Sequence, residues 1–283
     1  MAWRTRLLLL AAVALVAVGV LWWINRAPSI PEHPPASAPA VGSCWTVSPQ
    51  TAKRALPWPG KPVNCAGPHT AEVYHVGQVD RDLVSRARGA KGDDQKVAVN
   101  LMYAQARRAC GAFGSTYLGA DWHGVEVALL ANWIEPARDG FFACAVAQAA
   151  DPGGDHFVTR TATIKGSAPP VTCVTRANES VRFGSCEAEH TGEFVGTYIV
   201  TPSGAPFDGK AVASAVAKGC GQATLTYLGL PADATRSDLH VGYVGPTTAA
   251  TWLGSDQTFA CYASADAPMR GTVRNLGTRP LPR

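Results

Sequence analysis

Charge is scarce in this sequence. Asp, Glu, Lys and Arg make up 16% of its 283 residues, against 47% apolar ones. That is too little charge for a disordered chain and enough apolar material for real cores. The basic residues lie scattered, for a net charge of +4. No basic run interleaved with aromatics occurs, so nucleic acid is not expected as a partner. There is no Gly-x-Ser-x-Gly elbow, no His-Glu-x-x-His pair and no phosphate-binding glycine loop. Their absence removes the common hydrolase, zinc-protease and nucleotide-binding signatures. No Cys-x-x-Cys occurs either, which argues against a thiol oxidoreductase and against a zinc site. No cofactor, no metal and no catalytic residue is expected.

One long apolar run is present. Residues 7–24 read LLLLAAVALVAVGVLWWI, without a charge. As a helix they span about 27 Å, close to the thickness of a bilayer core. Trp22 and Trp23 close the run, where amphipathic rings favour the membrane interface. Arg4 and Arg6 precede it and only Arg26 follows closely. The positive-inside rule therefore predicts a cytoplasmic N-terminus over 1–6, a transmembrane helix over 7–24 and an extracytoplasmic remainder. A cleaved leader fits less well, because Ala36-Ser37-Ala38 lies well past the run and Pro39 follows it. No cysteine stands near the end of the run to carry a lipid, and the run has no Gly-x-x-x-Gly to pair helices. Residues 25–41 form a linker whose five prolines favour an extended spacer.

All eight cysteines follow that spacer, in two sets of four: Cys44, Cys65, Cys110, Cys144, then Cys173, Cys186, Cys220, Cys261. Their surroundings repeat. Cys65-Ala-Gly-Pro-His69-Thr-Ala-Glu72 matches Cys186-Glu-Ala-Glu-His190-Thr-Gly-Glu193. Cys110-Gly111 precedes Thr116-Tyr117-Leu118-Gly119, as Cys220-Gly221 precedes Thr226-Tyr227-Leu228-Gly229. Trp133 precedes Phe142-Ala143-Cys144, and Trp252 precedes Phe259-Ala260-Cys261. Three coincidences in one order predict an internal duplication, with one copy over 42–166 and the other over 167–283.

Both copies read as α+β, a helix packed on a small antiparallel sheet. Residues 72–79 and 193–200 are rich in β-branched and aromatic types, and 125–133 alternates, as strands do. Residues 95–109 and 209–219 carry a spacing of four (Met102, Ala106, Cys110; Val212, Val216, Cys220), which predicts helices, with Asp94 and Asp208 as caps. Residues 157–165 and 270–276 look like closing strands. Outside the membrane, an even cysteine count predicts disulfides. Three pairings are open within each copy. The favoured one is Cys44–Cys65, Cys110–Cys144, Cys173–Cys186 and Cys220–Cys261, because it pins the helix of each copy to its sheet.

Cys44-Trp45, the Cys65 to Glu72 segment, Cys110, Trp133 and Phe142-x-Cys144 together resemble the septum formation domain of actinobacterial envelope proteins. The second copy is similar, with Glu189 where the family has proline. The resemblance implies tethered extracytoplasmic proteins with a role in septum formation or the envelope, and it implies no reaction. The expected function is a binding or scaffold module whose partners are the membrane and envelope or division proteins. The alternative is an enzyme or small-ligand site at His69 and Glu72, and at His190 and Glu193. Residues three apart on a strand face opposite ways, so each pair is expected not to converge: the histidine bonds its own turn and the glutamate is solvated at the strand edge. Asp121-Trp122-His123 has no counterpart in the second copy and reads as a polar loop. Tyr117, Tyr227, Trp133 and Trp252 are expected in cores.

Overall fold

The helical spacing of four that ends on a cysteine sets the architecture, because that cysteine must face a sheet. In the computed structural model, which describes residues 30–283 except 55, 136, 178–179, 203–204 and 254, it does so twice. The expected membrane helix at 7–24 lies outside the described residues, among which no helix is long and apolar enough to cross a membrane. Residues 34–283 form one compact unit, so the second half of the proline-rich stretch is part of the fold. Ala38 packs on the first core, and Gly42 N donates to Val73 O at 2.7 Å.

The first half contains β1 (Cys44–Trp45), α1 (Pro49–Ala52), β2 (Ala71–Gln78), α2 (Arg81–Gly89), α3 (Gly92–Leu118), β3 (Val127–Trp133) and β4 (Phe141–Gln148). The second contains β5 (Cys173–Ala177), β6 (Ser180–Gly184), β7 (His190–Ile199), α4 (Gly209–Leu228), β8 (His240–Val244), α5 (Ala249–Leu253) and β9 (Thr258–Met269). Their strands build two antiparallel sheets, ordered β1-β2-β4-β3 and β6-β5-β7-β9-β8. Removing β6 leaves the same order in both.

The repetition reaches the register. Cys44 pairs with Glu72 across β1 and β2, as Cys173 pairs with Glu193 across β5 and β7. Each long strand then slips by one residue, between Val73 and His75 and between Phe194 and Gly196. Just past each bulge the strand meets the cysteine of its neighbour, His75 opposite Cys144 and Gly196 opposite Cys261. The four disulfides are Cys44–Cys65, Cys110–Cys144, Cys173–Cys186 and Cys220–Cys261. Two of them fasten α3 to β4 and α4 to β9.

The helices run further than the sequence suggests. Both continue past their cysteine because Leu118 and Leu228 are still buried against the fold, and both stop at a glycine with positive φ, Gly119 at 69° and Gly229 at 72°. Asp208 caps α4, its carboxylate accepting from the amides of Lys210 and Ala211. Asp94 does not cap α3, which starts after Lys91, and lies inside the first turn. In the second half the helix lies so near its sheet that a Cβ on Gly219 would stand 2.2 Å from the Tyr198 ring.

Two expectations change. The closing segments are not strands, because the backbone N–H groups of Ile164 and Val273 go to carboxylates instead of a ladder. Trp133 lies on a strand, whereas Trp252 lies on α5 and donates to Ala205 O at 2.7 Å, so the two are not equivalent. The β5–β6 hairpin, α2 and β8 did not stand out in the sequence.

Candidate functional site

Each half folds its Cys-x3-His-Thr-x-Glu segment as a turn leading into a long strand. The cysteine is tied to β1 in the first half and to β5 in the second, and the turn places the histidine inward. His69 Nδ1 lies 2.8 Å from Gly67 O, and His190 Nδ1 lies 2.9 Å from Ala188 O. In both, the histidine bonds the turn beside its disulfide, as its position suggested.

The glutamates depart from expectation. Glu72 and Glu193 are each 2% exposed, as buried as His69 and His190 at 1%. His69 Nε2 stands 3.0 Å from Glu72 Oε1, so the pair converges. Strand alternation fails here for a local reason: His69 sits in the turn before β2 begins at Ala71, and in β7 the register slips between His190 and Gly192.

The partners of the two carboxylates are the same in kind. Tyr117 donates to Glu72 Oε2 at 2.7 Å, Thr163 to the same oxygen at 2.6 Å, and Ile164 N to Oε1 at 2.6 Å. Tyr227 and Thr272 donate to Glu193 Oε1, and Val273 N donates to Oε2 at 2.6 Å. Lys165 lies 5.9 Å from the Tyr117 ring centroid and Arg274 lies 5.3 Å from that of Tyr227. Each carboxylate therefore clasps the end of its half to both helix and sheet. The tyrosines were legible only as repeated aromatics. The clasped segments repeat as Thr163-Ile164-Lys165 and Thr272-Val273-Arg274, a threonine, an aliphatic residue and a base, which is the signal that sequence reasoning passed over.

Burial works to raise Glu72, but the hydrogen bonds from Thr163, His69, Tyr117 and the Ile164 amide outweigh it and hold the carboxyl below its ordinary range. Tyr117 is pushed up to about 12 by burial and by the Glu72 charge, and Tyr227 up to about 12 by burial and Glu193. The two halves differ at one atom: His190 Nε2 is buried without a hydrogen-bond partner.

The chemistry open to these groups is narrow. Ligand atoms of Cys44, His69 and Glu72, and of Cys173, Cys186, His190 and Glu193, lie within 4.8 Å of one another. The sulfurs are bonded to each other as disulfides, and it is the thiolate that ligates metal. What is left in each half is one imidazole and one carboxylate already holding its own fold.

A second concentration of polar groups lies between the halves, which pack together. His123, in a turn at Trp122–Gly124, places Nδ1 2.8 Å from Asp121 and Nε2 3.3 Å from Asp256 of the other half. Burial pulls His123 down, yet hydrogen bonds and charge from Asp256 and then Asp121 raise it above the ordinary imidazole value. Asp256 is raised by burial but lowered further by His123, and ends below its ordinary range. Arg108 donates to Leu253 O at 3.1 Å, Phe183 N to Ala150 O at 3.0 Å, and Arg182 to His156 at 2.9 Å. Beside these contacts runs a groove of about 530 Å³, lined from both halves.

A model of the septum formation family matches residues 41–261, a stretch that takes in both sheets. No curated protein matches the chain, and no solved structure does.

Proposed function

Because the chain belongs to the septum formation family, we propose that it is a membrane-tethered binding or scaffold protein of the cell envelope, acting in septum formation without catalysing a reaction. The observation that carries this reading is how the two buried glutamates are used. Every oxygen of both accepts a hydrogen bond from the protein's own fold. A general acid or base must reach its substrate, and these four residues do not reach the surface. The disulfides suit an oxidising compartment. The apolar run at 7–24 supplies a single-pass anchor, with the N-terminus in the cytoplasm and both halves outside. The groove between the halves is then the surface offered to a division or wall-building partner.

A photoreactive residue in place of Ala128, on the groove wall, tests this in the full chain in its native membrane. Light-dependent crosslinking to an envelope protein is expected. Recovery of no envelope protein would remove the reading. The rival reading, a ligand site at His69 and His190, predicts that alanine at both abolishes function while the disulfides and the fold remain.

A further inference from the structure

The groove has two unlike sides. One wall is β3, the outer strand of the first sheet, which contributes the consecutive residues 127–132. Side chains along a strand alternate between faces, so a cleft over one face would touch every second residue. Contact with a continuous run places the open edge of β3 along the groove. The other side is β9, which contributes Thr258, Ala260 and Tyr262, alternate residues and hence one face of the second sheet.

That edge is unpaired over its middle. Leu56 N donates to Trp133 O and Glu126 N to Pro169 O, each at 2.8 Å, which seals the two ends. Between them, among the described residues, residues 128–131 exchange backbone hydrogen bonds with β4 alone. Asn132, also on the wall, is 4% exposed. Its Nδ2 donates to Ala52 O and Arg54 O, which fixes the amide, and its Oδ1 is buried without a partner.

The surplus charge along the groove has one sign. Arg107 lies over the Tyr103 ring at 5.7 Å, and Arg108 bonds the carbonyl of Leu253. Among the described residues neither is joined to a carboxylate. The other charges are matched: Lys53 with Asp155 at 2.8 Å, and His123 with Asp256.

We propose that the groove takes an extended acidic segment of a partner protein, which adds as a strand to the free edge of β3 and sets its carboxylates against Arg107 and Arg108. The inference rests on the binding-module reading above and narrows its partner. Strand addition draws affinity from main-chain bonds and selectivity from alternate side chains. One side of the added strand would lie on Ala260 and Tyr262, and the two guanidiniums, neither joined to a carboxylate among the described residues, keep N–H donors that carboxylates accept. The free stretch of four residues, 128–131, accommodates about 13 Å of extended chain.

The probe is a fluorescent octapeptide of alternating Val and Glu, titrated into the full chain in detergent with its disulfides intact. Saturable binding is expected, at least tenfold weaker for an R107E/R108E variant and at least tenfold weaker for one of the two peptides N-methylated at alternate amides in opposite phase, the other phase leaving the N–H groups that face β3 intact. A Lys218→Glu control, outside the groove, should bind as the parent does, and a Val–Lys peptide should not bind. Far-UV dichroism and thiol titration check that R107E/R108E is folded. The proposal is overturned by no binding at millimolar peptide, or by binding that survives charge reversal or that survives both N-methylation patterns, since an added strand turns only every second N–H toward β3. A chain that dimerises by light scattering through this edge, and loses the dimer in R107E/R108E, would also overturn it by naming a second copy as the occupant. If the probe fails while Ala128 still crosslinks to an envelope protein, only strand addition is lost. If both fail, the binding-module reading falls with it.

Discussion

A Glu72→Ala variant keeps the strand but removes the acceptor for His69 Nε2, Tyr117 OH, Thr163 Oγ1 and Ile164 N. The hydroxyls of Tyr117 and Thr163 lie partly open and can turn to water. His69 Nε2 and the Ile164 N–H are buried and cannot. Two buried polar groups left unsatisfied, at about 1–3 kcal/mol each, together with the lost charge-assisted bonds, give a destabilisation of about 3–5 kcal/mol. For a unit of this size that lowers the melting temperature by about 6–10 °C. Glu72→Gln keeps an acceptor and the shape, and should cost about 1–2 kcal/mol. Differential scanning fluorimetry on the oxidised protein reads both, and limited proteolysis should show the segment around Thr163 cut in Glu72→Ala first. The folded Glu72 carboxyl is lowered. Its contribution is therefore complete above the ordinary carboxyl value and is lost as pH falls through the lowered one. The parent should lose stability in acid faster than Glu72→Gln does. A Glu72→Ala variant melting within 1 °C of the parent, with no acid-dependent difference, would refute the carboxylate clasp.

Three further outcomes follow from the same contacts. Leu at His69 should destabilise more than Leu at His190, because His69 bonds through both ring nitrogens whereas His190 Nε2 has no partner; paired urea melts compare them. Cys65 and Cys186 are partly exposed while both ends of Cys110–Cys144 and Cys220–Cys261 are buried, so a mild phosphine should open Cys44–Cys65 and Cys173–Cys186 first, as seen by alkylation and mass spectrometry. The His123 contribution is complete below the ordinary imidazole value and lost as pH rises through its raised folded value, whereas that of Asp256 is lost as pH falls through its lowered one. His123→Ala should therefore cost most stability between about pH 4 and 6.5, measured as the difference in melting temperature from the parent.

The framework was legible because its signals are covalent or periodic. Cysteine context disclosed the repeated pattern of the two halves, and spacing by four put Cys110 and Cys220 on the buried faces of helices. The favoured disulfide pairing and the α+β class follow from those two facts. The fate of the glutamates was hidden, because a carboxylate at a strand entry reads as solvated unless its donors are known. Those donors come from far along the chain, Tyr117 on a helix and Thr163 in a loop. The groove was less legible still. It forms where the two halves meet, and no local pattern in β3 or β9 reports how one half packs on the other. His123 illustrates the point: its polar triplet reads as a loop until Asp256 arrives from the other half.

Matching clasps hold unequal loads. The one at Glu193 grips Thr272 and Val273, so slackening it would fray only the residues beyond. The one at Glu72 grips Thr163 and Ile164, immediately upstream of the stretch that runs past Pro169 and Val171 into β5. Slackening that one would free the crossing between the halves and, with it, the spacing of the β3 edge from the β9 face. Of the two clasps, the first alone also borders the crossing between the halves.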